Sequence, residues 1–207
     1  MFYLDDTPTE VEAETLGQAL AAAQTQLGAR GRLLVEVQID GVSVTGPALD
    51  DRAEQSLDGA EVRFYSAQPG ELALATLGQV RQRLDDIRTA QADAADLLQR
   101  DEPAQAFTTL STAIDGWIQV QQAVQGVAAL LGVRIAELDA PHDTERAPSV
   151  AGESAAIGEL VQALRAVKPM LADRDTVGLA DALTYEWPAL TERWERIVDG
   201  LRQRIQD

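Results

Sequence analysis

Residues 183–201, LTYEWPALTERWERIVDGL, hold the question on which the reading of this chain depends. Leu183, Trp187, Leu190, Trp194, Ile197 and Leu201 recur at alternating short spacings of the kind that puts apolar side chains on one helical face. Pro188 interrupts the run. It has no N–H to donate, and its ring crowds the carbonyl four residues back, at Thr184. A helix starting afresh at Pro188 would have no reason to keep register with Leu183. The unbroken stripe therefore predicts a kinked but continuous helix with Trp187 in the core. Tyr185 and Glu186 fall off the stripe, on the outer side of the kink. They are the candidate partner-binding residues. The same spacing also fits a tyrosine half-covered by the next helix beside a solvated glutamate.

The same spacing recurs three more times. Leu77, Val80, Leu84, Ile87, Gln91, Ala94 and Leu98 form one stripe. Phe107, Leu110, Ile114, Trp117, Gln121, Val124, Ala128 and Leu131 form a second, and Ile157, Leu160, Leu164, Val167 and Leu171 a third. Four such seams predict helices packed at shallow angles. The short link RDEP joins the first two helices and ADRD the last two, which makes each pair antiparallel. Gln91 and Gln121 are polar residues inside the seams, where they fix register at a cost in stability; the pattern lets them meet. Residues 71–207 thus read as an antiparallel four-helix bundle of two hairpins. A Pro-rich polar stretch at about 132–152 reads as a mobile connection. In general plan this part is similar to flagellar-type export chaperones, which are small acidic helical bundles. The similarity is one of architecture and transfers no residue.

Residues 1–70 follow a different period. In RLLVEVQIDGVSVT, Leu33, Val35, Val37 and Ile39 alternate with Leu34, Glu36 and Gln38, as on a strand. Asp40-Gly41 is a hairpin turn, since both residues tolerate positive φ. Val62, Phe64 and Ser66 mark another strand, and Thr9–Ala13 a weaker one. Between them Leu16, Leu20, Ala23 and Leu27 describe a helix, with Thr15 and Gln18 as a capping pair and Gly28 as its stop. The fold class is α+β: a small roll of three or four strands with one helix, ending at Pro69-Gly70, followed by the bundle.

Charge narrows the range of partners. Acids outnumber bases 34 to 17, a net charge of −17 at pH 7, with Lys168 the sole lysine. Nucleic acid and anionic membrane both require a basic footprint, so neither is expected. Such a balance suits a halophile's high-salt cytoplasm, and equally a genome rich in arginine codons. The N-terminus lacks a basic n-region and an apolar h-region, and no apolar run reaches membrane-spanning length, so the expected location is cytoplasmic.

The sequence offers little for catalysis. There are no cysteines and one histidine, His142, which sits in the connection. That removes thiol chemistry and triads needing a placed histidine. Asp173, Asp175, Gly178 and Asp181 fall at positions 1, 3, 6 and 9 of a calcium loop, but position 12 is Thr184 where a bidentate glutamate is required. Asp175 fits better as a helix cap. GESAA at 152–156 lacks the second glycine of a nucleophile elbow, and Ser149 or Ser154 reads as a cap. The pairs Asp5-Asp6, Asp50-Asp51 and Asp85-Asp86 recur, but acid–base work would need one acid in a burying environment, and Asp85-Asp86 reads as a solvated helix face. No catalytic residue, cofactor or metal is expected. The reading is a non-catalytic interaction or scaffold protein with a protein partner or a homo-oligomer. The alternatives are a chaperone or adaptor holding a partner helix in a bundle groove and, third, a carboxylate-based enzyme.

The charge carries a first prediction. Salt screens like-charge repulsion, so the melting temperature should rise as sodium chloride is added from low to moderate ionic strength. A flat or falling curve would contradict it.

Overall fold

The computed structural model describes residues 1–9, 11, 13–139 and 154–207. The chain divides into two compact units, Met1–Leu72 and Ala73–Asp207.

The first unit holds one mixed sheet and a helix. Strands β1 (Phe2–Leu4), β2 (Thr7–Pro8), β3 (Leu33–Ile39), β4 (Val42–Val44) and β5 (Val62–Ala67) form a five-stranded sheet of order β2-β1-β5-β3-β4. This exceeds the three or four strands expected. The additions are β1 and β2, too short to show alternation, while Thr9–Ala13 forms no strand among its described residues. β1 runs parallel to β5, and the other pairings are antiparallel. Helix α1 (Leu16–Gly28) buries Leu16, Ala19, Ala23 and Leu27 in a core with Val37, Val62 and Phe64. The Thr15 side chain accepts from the Gln18 N–H, and the Gln18 side chain accepts from the Glu14 N–H. Asp40 and Gly41 both have positive φ, as the hairpin requires. The short helix α2 (Pro47–Asp51) follows β4.

The inward face of β3 differs from simple alternation. The register against β5 shifts between Leu34 and Glu36, leaving Val35 as an extra residue. A bulge of this kind turns the strand by one position. Leu34, Val37 and Ile39 therefore face the core, while Leu33 and Val35 are exposed. Period 2 alone cannot reveal the inserted residue.

The second unit is helical: six α-helices and one π-helical turn among the described residues. Helix α3 spans Pro69–Gln99, α4 Pro103–Leu131, α5 Ile135–Leu138, α6 Ala155–Asp173, α7 Thr176–Asp181 and α8 Trp187–Gln206. The expected break at Pro69-Gly70 is instead the first turn of α3, where a proline's missing N–H costs nothing. Residues 132–152 are not all connection either. α5 lies within them, with Ile135 buried and Leu138 against Gly200. Residues 140–152, with His142 and Ser149, lie outside the described residues.

The seams are read correctly in α3 and α8 and displaced in α4. Its buried stripe is Ala106, Leu110, Ala113, Trp117, Val120, Val124 and Val127. Phe107 is exposed, and Ile114 and Gln121 are only half-buried. Leu110, Trp117, Val124 and Ala128 are buried as expected, but the positions between them are filled by the smaller Ala106, Ala113 and Val120 instead of their larger neighbours Phe107, Ile114 and Gln121. Leu171 of the third seam is likewise exposed. Gln91 is buried, but neither its oxygen nor its nitrogen has a hydrogen-bond partner among the described residues, so it does not bond to Gln121.

Small residues let these helices approach closely. A Cβ built on Gly116 of α4 would lie 2.7 Å from Ile87 Cγ1 of α3, inside van der Waals contact. Trp117 packs edge-on against Trp194 of α8, with ring centroids 6.0 Å apart. Gly116→Ala should gain about 1 kcal/mol of helix propensity but lose about 1–3 kcal/mol to overpacking, because buried Ile87 is β-branched and cannot swing away. A lower melting temperature is expected, with the effect vanishing or reversing in an Ile87→Ala background. A Gly116→Ala protein melting above the parent would contradict this packing.

Candidate functional site

The helix does continue through Pro188. Between α7 and α8, residues Ala182–Glu186 form a π-helical turn, and the Trp187 N–H donates to the Ala182 carbonyl five residues back. The wider turn accommodates the proline ring without ending the helix. Two hydroxyls bond to carbonyls nearby: Thr184 Oγ1 to Ala180 at 2.7 Å, and the buried Thr191 Oγ1 to Trp187 at 3.2 Å. Both Leu183 and Trp187 are buried, so the apolar stripe passes through the turn.

The step places the two predicted residues in solvent. Tyr185 is 75% exposed, and Glu186 is also exposed. Neither is half-covered by a neighbouring helix. Glu186 lines a groove of about 520 Å³ between α6 and α8. Ala163 and Ala166 of α6 and Trp187 and Leu190 of α8 line the groove alongside Glu159, Arg193 and Arg196. Tyr185 does not line it.

At the far end of the groove lies a cluster that the sequence did not disclose. Asp139 follows α5, and its side chain is only 4% exposed. Its carboxylate accepts from Arg193 Nε at 2.5 Å, from Ser154 Oγ at 2.8 Å and from the Ala156 N–H at 2.8 Å. Arg193 also reaches Glu159 at 2.6 Å. Ser154 is the N-cap residue of α6, as expected, yet its own side chain makes no cap bond. Asp139 caps the helix in its place and adds favourable charge at the N-terminus. Burial alone would raise the Asp139 pKa, but the bonds from Arg193, Ala156 and Ser154 prevail and hold it below the usual carboxylate value. No local signal links Asp139 to Ser154 or Arg193, since the three come from different elements.

The remaining candidates are structural. Asp175 Oδ1 accepts from the Gly178 N–H at 2.8 Å and caps α7, so Gly178 and Asp181 of the calcium-loop pattern lie in a helix. Asp5 and Asp6 form the turn between β1 and β2, both with positive φ. Asp5 accepts from the Ser66 N–H and Oγ at 2.7 and 2.6 Å. Asp85 and Asp86 are exposed and lie within 3.6 Å of Arg88 and Arg83 on their own helix. No group of three or more acidic or histidine side chains placed to hold a metal occurs among the described residues. No described helix is long and apolar enough to cross a membrane.

Comparison with known proteins gives no match to a family model, a curated protein or a solved structure.

Asp139→Asn tests the cluster. The lowered pKa means that the carboxylate stabilises the fold above its unfolded pKa, and that this contribution is lost as pH falls through the folded value. At pH 7 the variant should lose on the order of 2 kcal/mol, the scale of hydrogen bonds to a charged group. In urea melts taken at successively lower pH, the gap from the parent should close below about pH 4, the ordinary carboxylate range. A gap unchanged down to pH 2 would show that the charge does not matter.

Proposed function

We propose that this chain is a non-catalytic protein–protein interaction module. In this reading α3, α4, α6 and the run from α7 through the π turn to α8 act as an antiparallel four-helix bundle. The step at Tyr185 and Glu186 is its docking point for a protein partner. The observation that carries this is the exposure of Tyr185 at 75%, held out by a π turn whose own Leu183 and the following Trp187 are buried. A tyrosine this exposed buries little of its area in the fold, whereas aromatics supply much of the binding energy of interfaces. Interrupted helices of this type recur at functional positions.

The bundle reading rests on helix pairings. Along α3, Arg81 and Arg88 meet Asp199 and Glu195 of α8, in descending order, each at 2.5 Å. Arg193 of α8 meets Glu159 near the start of α6, while Ala166 and Trp187 share the other end of that groove. Both pairings are antiparallel. The net charge of −17 argues for a protein partner over nucleic acid or anionic membrane, and the proposed setting is cytoplasmic.

A chaperone or adaptor is the second reading. The alanines and Leu190 in the α6–α8 groove, with Glu186, Arg193 and Arg196 beside them, offer a channel with charges of both signs to orient a partner helix.

Capture experiments from the native organism should be run in parallel with the parent, Tyr185→Ala and Glu186→Lys. A partner held by the parent and lost from both variants, with unchanged melting temperatures, is the expected result. Equal capture by all three would remove the step as the docking point. Trp187→Ala provides the contrast, with a loss of about 3–5 kcal/mol of stability, as for other buried aromatics.

A further inference from the structure

Helix α4 is out of keeping with the rest of the chain. Its 29 residues include one charged side chain, Asp115. Helix α8 carries seven in 20 residues, and a quarter of the whole sequence is charged. The difference is not explained by burial, because α4 has a full outward face. Thr108, Ser111, Asp115, Ile118, Gln122 and Gln125 are all exposed and recur at spacings of three and four. That is a second heptad stripe, on the side opposite the buried one, made of hydroxyls, amides and an isoleucine. Phe107, Ile118 and Leu130 are 36%, 44% and 36% exposed on this helix. Ile118 lies at the centre of the stripe, with Phe107 and Leu130 toward the two ends of the helix; depletion of charge around a central apolar side chain is the compositional mark of an interface core.

We propose that this face joins two copies of the chain, α4 against α4, antiparallel about a two-fold axis near Ile118. Charge selects the occupant. Two molecules of −17 repel each other wherever their acidic surfaces meet, so the face that two copies can share is the one nearly free of charge. Charge also selects the direction. A parallel pair would set Asp115 against its own copy. An antiparallel pair centred on Ile118 sets it against Gln121 and Gln122, whose amides can donate to a carboxylate. Such a pair is isologous and closes on itself. A helix of this length is about 44 Å long, and a strip about 10 Å wide gives on the order of 900 Å² for the pair. That lies below the standard interface size, so the dimer is weak and concentration-dependent. This pairing stands apart from the Tyr185 step and holds or fails without it.

The absence of cysteine makes the test direct. Positions 111 and 125 are equidistant from Ile118 on either side, and about 21 Å apart along one helix, beyond disulfide reach. Under mild oxidation a mixture of Ser111→Cys and Gln125→Cys full-length chains should cross-link to each other. Each variant alone should cross-link far less. In sedimentation, the parent should shift from monomer to dimer with rising concentration, more readily in higher salt as repulsion is screened. Ile118→Glu should stay monomeric at the same concentrations with its helical signal intact. A parent that remains monomeric at millimolar concentration overturns the proposal. So does a dimer that Ile118→Glu leaves unchanged, since it must use another face, or cross-linking of Ser111→Cys to itself, which would mean a parallel pair.

Discussion

The helical unit depends on the continuity of one helix across Pro188. A residue added to or removed from a helix rotates everything beyond it by about 100°. The π turn at Ala182–Glu186 absorbs the proline and still delivers Trp187, Leu190, Trp194 and Leu201 to the core. The same rotation decides where the polar side chains go. Arg193 reaches Asp139 and Glu159, Glu195 reaches Arg88, and Asp199 reaches Arg81. Had the helix begun anew at Pro188 in another register, these pairs and the apolar stripe would have been lost together. Tyr185 stands in water because it lies on the outside of the turn that keeps the others in place.

Charge is arranged along this chain as selectively as hydrophobicity. Several arginines are tied to acids on other elements: Arg32 to Asp5, Arg63 to Asp6, Arg81 to Asp199, Arg88 to Glu195 and Arg193 to Asp139. Most of these pairs are partly exposed, where each adds little to stability. Asp139 is different because its carboxylate is buried and accepts from three donors. It joins α5, the start of α6 and the middle of α8, so one side chain holds the ends of the described segments on either side of residues 140–153. The uncharged outer face of α4 is the counterpart of this pattern, a surface from which charge has been left out.

Close helix contacts depend on residues that carry little information of their own. Gly116 gives room to Ile87, Gly200 gives room to Leu138, and the alanines of α4 bring its backbone against its neighbours. Buried polar groups run against this economy. The Gln91 amide and the indole N–H groups of Trp117 and Trp194 are buried without hydrogen-bond partners among the described residues. All three side chains come from the large core of the helical unit, where polar positions more often set register than add stability.

The sequence by itself determined the class of each part, because hydrophobic period is a local property. It placed α1, the β3–β4 turn, the seams of α3 and α8, the caps at Thr15 and Asp175, and a buried Trp187 beside a solvated Glu186, but it left the covering of Tyr185 and the choice between Ser149 and Ser154 at the start of α6 open. It misplaced what depends on neighbours distant in the chain. The bulge at Val35 exists because β3 must match β5. β1 and β2 are too short to announce themselves and are held by pairing with β5 and with each other. The α4 stripe follows Ala106 and Ala113 over Phe107, because close packing against α3 favours small side chains over merely apolar ones. The Asp139 cluster was invisible for the same reason. An isolated aspartate ahead of a polar stretch has no periodicity, and only the folded chain brings Ser154, Ala156 and Arg193 to its oxygens.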